Sequence, residues 1–83
     1  MQQAIKIAPR DNVAVALSDL DEGSILTLDG VMVTLRQPIG RGHKFALRPI
    51  AVNEHIIKYG LPIGHATQTI DVGEHVHAQN ART

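Results

Sequence analysis

The fold class follows most directly from Ser24-Ile25-Leu26-Thr27-Leu28-Asp29-Gly30-Val31-Met32-Val33-Thr34-Leu35. Two runs of aliphatic and β-branched residues flank an Asp-Gly pair, which readily adopts the positive φ angles of a type I′ turn. The stretch therefore predicts a β-hairpin. Because alternate residues of a strand share a face, Val31, Val33 and Leu35 are predicted to point the same way.

The segments on either side of this hairpin are also short, β-rich and interrupted by Gly or Pro. Further strands are predicted at residues 5–7, 13–17, 44–47 and 55–59. Asp11 or Asn12 could instead cap a short helix, and the interrupted segment 62–67 favours a single helical turn. We therefore expect a mainly β fold with at most one or two short helical turns.

A weak internal repeat indicates how the strands are connected. An apolar residue, a turn and a new strand recur in residues 20–26, 50–56 and 70–76. The turn position holds Gly23, Asn53 and Gly73, and these residue types best tolerate positive φ. The repeat predicts three similar corners in a compact, folded-over sheet, and it would also fit a small barrel.

The chain is small for a complete enzyme. A domain of 83 residues has a thin core, and it can hardly enclose the roughly 300–1,000 Å³ that a buried substrate pocket needs. We therefore expect a partner chain or a second domain.

Composition argues against several other partners. Eight basic residues balance eight acidic ones, and the two aromatic residues provide no base-stacking platform, so nucleic acid is not expected. The longest apolar run, residues 13–17, is far shorter than the roughly 20 residues of a membrane span. The first residues do not resemble a signal peptide, and cysteine is absent. A cytoplasmic location is the expectation.

Histidines near the end of the chain are the clearest candidates for chemistry. In a strand, His75 and His77 project from one face and Val76 from the other, so two imidazoles lie side by side. Such a pair suits a transition metal or an anion. Two ligands do not complete a metal site, and two exposed edge-strand histidines would show the same spacing.

Other polar residues lie next to probable strands. His43 and Lys44 precede the apolar Phe45-Ala46-Leu47, where a rigid strand could hold a reactive group, although Lys44 could equally be a solvated charge. Lys58 and Tyr59 precede a turn, and Tyr59 is expected to pack with its hydroxyl at the rim. His55 and His65 are read as surface residues.

Three segments together resemble a known family. They are Gly42-His43-Lys44-Phe45-Ala46-Leu47, Ile57-Lys58-Tyr59-Gly60-Leu61-Pro62-Ile63-Gly64 and Gly73-Glu74-His75-Val76-His77-Ala78-Gln79-Asn80. Their order and spacing resemble the SAF-type N-terminal domain of the altronate/galactarate dehydratase family, which also includes sulfolactate sulfo-lyase. The resemblance looks close to the altronate dehydratases and covers nearly the whole chain. It implies a β-clip fold and a single SAF domain over residues 1–83, with the large catalytic domain or subunit outside this chain.

The resemblance also implies an activity. Members of the family are lyases of the hydro-lyase type, which eliminate water from altronate or a related aldonic or aldaric acid to give a 2-keto-3-deoxy acid. By this resemblance His43, His75 and His77 are metal ligands for Fe²⁺ or Mn²⁺, with Mg²⁺ as an alternative. His43 and Lys44 are catalytic candidates, and Lys44, Lys58 and Asn80 are substrate-binding candidates.

Two points stay open at this stage. Gln79 stands where many relatives have a third histidine, and its carbonyl oxygen would be a harder ligand than imidazole. The alternative function is a non-catalytic module that binds a sugar acid or supports assembly, including assembly of a homo-oligomer.

Overall fold

The computed structural model describes residues 2–83, and these residues form nine short β-strands. The strands are β1 (Ala4–Ile5), β2 (Val13–Ala16), β3 (Ile25–Leu28), β4 (Val31–Thr34), β5 (Lys44–Ala46), β6 (His55–Lys58), β7 (Leu61–Ala66), β8 (His75–Val76) and β9 (Ala81–Arg82). The prediction of a mainly β fold is confirmed, and small sheets of short strands are consistent with a β-clip. Among residues 2–83 there is no helix of the length and apolarity that crosses a membrane.

A four-stranded antiparallel sheet forms the centre of the molecule, in the order β1-β2-β5-β8. Phe45 on β5 lies opposite Ala14 on β2 and opposite His75 on β8. Directly opposed residues share a face, so Phe45 and His75 lie on one face of the sheet, and Lys44 and Val76 on the other.

Both faces of this sheet are buried by separate groups of apolar side chains. The group around Phe45 consists of Ala4, Ala14, Ala16, Leu20, Leu26, Leu28, Val33, Leu35, Ile39 and Phe45. The second group consists of Val13, Ala46, Ile50, Ile56, Ala66, Ile70 and Val76. Because the two groups lie on opposite faces, the short strand β5 contributes to both of them.

The hairpin predicted from Asp29-Gly30 is present as β3 and β4, and its turn has positive φ at both residues. Val33 and Leu35 are buried. Val31, which lies next to the turn, is 55% exposed. The other face of the hairpin is exposed as well, with Ile25 at 60% and Met32 at 68%.

The repeat is more extensive than the sequence indicated, since the structure has four corners of one kind. Each corner joins a buried apolar residue to a residue with positive φ three positions later. The four pairs are Leu20 and Gly23, Ile39 and Gly42, Ile50 and Asn53, and Ile70 and Gly73. In each corner the N–H of the positive-φ residue donates to a backbone carbonyl of a distant strand or its end. The unpredicted corner, Ile39 to Gly42, places His43 at the start of β5.

One local prediction was wrong. Residues 62–66, where a helical turn was considered, instead belong to β7, a six-residue strand paired with both β6 and β9. Gly64 has no room for a side chain, because a Cβ there would meet the backbone carbonyl of Arg82 on β9. The glycine that looked like a strand breaker therefore permits close strand pairing. The strand predicted at residues 13–17 is present as β2, so the alternative in which Asp11 or Asn12 caps a helix does not apply.

Candidate functional site

Three histidines meet at one end of the central sheet. His43 immediately precedes β5, His75 begins β8, and His77 follows β8. One ring nitrogen from each lies within 4.8 Å of the others. His43 and His75 are half-buried, and His77 is exposed. We call these three residues the imidazole cluster.

The rings of the imidazole cluster contact one another directly. His43 Nδ1 and His75 Nε2 are 2.9 Å apart, so one ring donates a hydrogen bond and the other accepts it. The rings of His75 and His77 are stacked, with centroids 5.4 Å apart and an interplanar angle of 14°. This is the arrangement expected of alternate residues projecting from one face of a strand.

Lys44 lies beside the cluster but on the opposite face of the sheet. It lines a cavity of about 150 Å³ together with His77. Burial, and then the nearby ammonium of Lys58, lower the pKa of Lys44. Among the described residues, neither lysine has a carboxylate within 4.0 Å. Two mutually repelling cations without a carboxylate partner are suited to attract an anion.

The remaining candidates differ in their placement. The Lys58 ammonium lies 4.9 Å from the centroid of the Tyr59 ring, and Tyr59 is 59% exposed at a positive φ instead of packed at a rim. Asn80 is fully buried, and its amide bonds to backbone atoms of His75 and His77 instead of facing solvent. Family resemblance made Asn80 a substrate-binding candidate, and in the structure its side chain holds the backbone that carries His75 and His77.

Gln79 lies over the cluster in a manner that the sequence did not indicate. Its Nε2 is 3.4 Å from His75 Nδ1 and donates to the His75 carbonyl at 3.3 Å. The amide nitrogen, and not the carbonyl oxygen, therefore faces His75. The other two histidines are outside the cluster, since His55 and His65 lie opposite each other on β6 and β7. His55 is exposed as expected, and His65 is partly buried.

A larger cavity lies elsewhere on the molecule. It is a partly open groove of about 660 Å³, lined by apolar residues such as Leu28 and by charged residues such as Arg10 and Glu54, and it shares no lining residue with the imidazole cluster. The cavity beside Lys44 and His77 is smaller than the roughly 300 Å³ at which ligand pockets begin. The described residues therefore support the imidazole cluster on one side and do not enclose it.

Burial and basic neighbours both affect the charge state of His75. Burial, followed by His43, His77 and Lys44, lowers the pKa of His75 from its ordinary value of 6.5. The ring is therefore neutral at pH 7, which is the form that binds a metal.

This shift predicts a pH dependence of stability. A lowered pKa means that the folded chain takes up this proton less readily than the unfolded chain does. Stability is thus full above pH 6.5 and falls as the pH decreases through the folded-state pKa. We expect His75→Gln to reduce the fall in thermal midpoint between pH 8 and pH 5, measured with a chelator present. Identical pH profiles for the two proteins would contradict this expectation.

Comparison with known proteins agrees with the resemblance noted from the three segments. Residues 2–83 match the family model described as the altronate/galactarate dehydratase SAF domain. The chain is 59% identical over 81 residues to altronate dehydratase of Escherichia coli, and 48% identical over 83 residues to altronate dehydratase of Bacillus subtilis. These matches cover 98% and 100% of this chain.

The relatives are much longer than this chain, which spans only 16% and 17% of those two dehydratases. A third relative is smaller: the alpha subunit of (2R)-sulfolactate sulfo-lyase from Chromohalobacter salexigens is 45% identical over 49 residues, which are 59% of this chain and 52% of the subunit. With the family model matched over residues 2–83, the chain belongs to the altronate/galactarate dehydratase SAF domain family.

Proposed function

We propose that this SAF domain forms one wall of the active site of a sugar-acid dehydratase and acts with a large catalytic domain or subunit. The observation that carries the proposal is the imidazole cluster with Lys44 beside it, in a family whose members include altronate and galactarate dehydratases. The reaction is the elimination of water from altronate, or a related aldonic or aldaric acid, to a 2-keto-3-deoxy acid. The enzyme is accordingly a hydro-lyase.

The imidazole cluster has the chemistry of a divalent metal site. Imidazole is a common ligand of iron and other transition metals, and the lowered pKa of His75 favours its neutral form. With metal–nitrogen bonds of about 2.0–2.1 Å, neighbouring ligands on one ion lie about 3 Å apart, close to the 2.9 Å between His43 and His75. His77 is exposed, so its ring can rotate towards the other two. His43, His75 and His77 would hold Fe²⁺ or Mn²⁺, with Mg²⁺ as the alternative.

The substrate chemistry explains why cations are needed here. The C2 proton of an aldonic acid is weakly acidic, and its removal places negative charge next to a carboxylate. A divalent ion, when bound, would withdraw charge from that carboxylate. Lys44 and Lys58 supply further positive charge, and they hold and orient the acid without competing carboxylates from this domain.

Two proton transfers complete the elimination. One group removes the C2 proton and another protonates the departing C3 hydroxyl. His43 is the candidate in this domain when it is not a metal ligand, because the hydrogen bond to His75 and a shared metal would use the same ring nitrogens. The large catalytic domain supplies the remaining groups and the walls that the imidazole cluster lacks.

The experiment is an activity assay on the complete dehydratase that contains this domain, with altronate, galactarate and sulfolactate as substrates and Mn²⁺ or Fe²⁺ added. We expect His75→Ala to lower kcat/KM about 100-fold, comparable to other losses of metal-site geometry. The control is His55→Ala, which removes an exposed histidine outside the cluster and should leave activity unchanged. Equal activity of His75→Ala and wild type would refute the proposal.

The second candidate is a non-catalytic assembly or sugar-acid-binding module. Exposed apolar side chains on the two hairpins favour it, in particular Ile25 and Met32 on β3–β4 and Leu61 on β7. For assembly, Met32→Glu should weaken association with the large catalytic domain or with a second copy, measured by sedimentation. A complex that loses activity with Met32→Glu but keeps it with His75→Ala would favour assembly over catalysis.

A further inference from the structure

The side chain of Asn80 bridges the two strand residues of the imidazole cluster. Its Nδ2 donates to the His75 carbonyl at 2.8 Å, and its Oδ1 accepts from the His77 N–H at 3.0 Å. Asn80 is fully buried. Its backbone carbonyl accepts from the Thr67 N–H beyond the end of β7 at 2.9 Å, so the bridge is anchored outside the strand that it holds.

The His75 backbone is held from its other side as well. The Gln37 side-chain oxygen accepts from the His75 N–H at 3.0 Å. Both polar backbone groups of His75 are thus bonded to side chains, and the two peptide units around Val76 are fixed by Asn80. Since these peptide units set the directions of the His75 and His77 side chains, the stacked rings depend on them.

A second asparagine makes the same bridge at a place without an imidazole cluster. Asn12 is also fully buried, donates from Nδ2 to the His55 carbonyl at 2.9 Å, and accepts at Oδ1 from the Ile57 N–H at 2.8 Å. In both cases the amide joins the C=O of one residue to the N–H of the residue two positions later. His55 and His75 also occupy the same position after their corners, following Asn53 and Gly73. The fold therefore contains a matched pair of bridges, and only one lies beneath the imidazoles.

We infer that Asn80 is a positioning residue, which sets the spacing of the His75 and His77 rings so that they can share one ligand. As regards the ligand, the inference rests on the proposed metal-binding function. Removal of the bridge frees the peptide units on both sides of Val76, so the two rings no longer hold a common orientation. Comparable losses of the groups that orient metal ligands weaken metal binding about 10- to 100-fold.

The test compares the complete dehydratase that contains this domain with its Asn80→Ala, Asn12→Ala and His75→Ala variants. Mn²⁺ binding is measured by calorimetry, at a temperature below the thermal midpoints of all four proteins. We expect Asn80→Ala to weaken Mn²⁺ binding about 10- to 100-fold. Asn12→Ala should lower the thermal midpoint by a similar amount and leave Mn²⁺ affinity unchanged. If Asn80→Ala does not fold, Asn80→Asp and Asn12→Asp take their places, because Asp keeps the acceptor and loses the donor.

A second readout separates this inference from the proposed metal site. Ring-to-ring nuclear Overhauser effects between His75 and His77 should be present in wild type and in Asn12→Ala, and lost in Asn80→Ala. If Asn80→Ala binds Mn²⁺ as tightly as wild type while His75→Ala does not, the positioning role is overturned and the metal site stands. If wild type binds no Mn²⁺, the metal proposal fails, and the ring-to-ring signals alone decide the role of Asn80. If the ring-to-ring signals are retained in Asn80→Ala, the positioning role of Asn80 is overturned.

Discussion

Replacing Gly73 with alanine should destabilise the domain by about 3–5 kcal/mol, which is a large part of the stability of a small domain. Gly73 has a φ of 81°, a conformation that costs an L-residue about 1–2 kcal/mol. A Cβ at this position would also collide with the backbone carbonyl of Thr34. Since that obstacle is backbone, it cannot be relieved by a change of side-chain rotamer.

The matched control for this prediction is Gly23→Ala. Gly23 occupies the same position in another corner with a φ of 85°, and a Cβ there would have no atom within 4 Å. Its substitution should therefore cost only the conformational term, about 1–2 kcal/mol. Urea denaturation of both variants measures the difference. Equal losses would show that the contact between Gly73 and Thr34 can relax at little cost.

Replacing Phe45 with alanine should cost about 3–5 kcal/mol, the usual range for a buried aromatic side chain. Among the described residues, Phe45 is the largest fully buried side chain. Its neighbours across the sheet are Ala14 and His75. The small Ala14 cannot expand to fill the space, so a cavity would remain. Urea denaturation gives the free energy of unfolding directly.

Phe45→Leu is the companion variant, because it keeps most of the apolar volume. We expect it to cost about 1–2 kcal/mol and to retain the imidazole cluster, since the β5–β8 pairing is made by the backbone. A loss below 1.5 kcal/mol for Phe45→Ala would indicate that the surrounding core collapses into the vacated space.

Some features of this fold could be predicted because their causes are local. Asp29-Gly30 determines the β3–β4 turn through its own φ preferences, and the alternation of the following strand places Val33 and Leu35 in the core. Val31 obeys the same alternation but is 55% exposed. How far along the strand the core begins cannot be predicted from the alternation of residues alone.

Other features depend on residues far apart in the sequence. Gly64 looked like an interruption, and its role became clear only from the close approach of Arg82. The corner at residues 39–42 was missed because Gly40-Arg41-Gly42 does not resemble the other turns in composition.

The candidate site also combines a feature with a local cause and features that depend on residues far apart in the sequence. The His75 and His77 pair follows from strand periodicity, whereas His43 is 32 residues from His75 and was assigned to the site by family resemblance. The structure brings His43 to the pair through the β5–β8 register. The bridging role of Asn80 had no signal in the sequence, because an asparagine near a turn usually serves the turn itself.

The order of strands in the central sheet has a consequence for synthesis of the chain on the ribosome. β2 pairs with β5, and β5 with β8, so β2 and β5 must each wait for a partner that is translated much later. At about 5–20 residues per second, β2 would wait about 2–6 s for β5, and β8 would follow after a similar interval. During this time the nascent chain carries unpaired apolar strand edges, which are the usual sites of misassociation. The histidines can come together only at the end of this sequence, so no partly made chain carries a complete cluster.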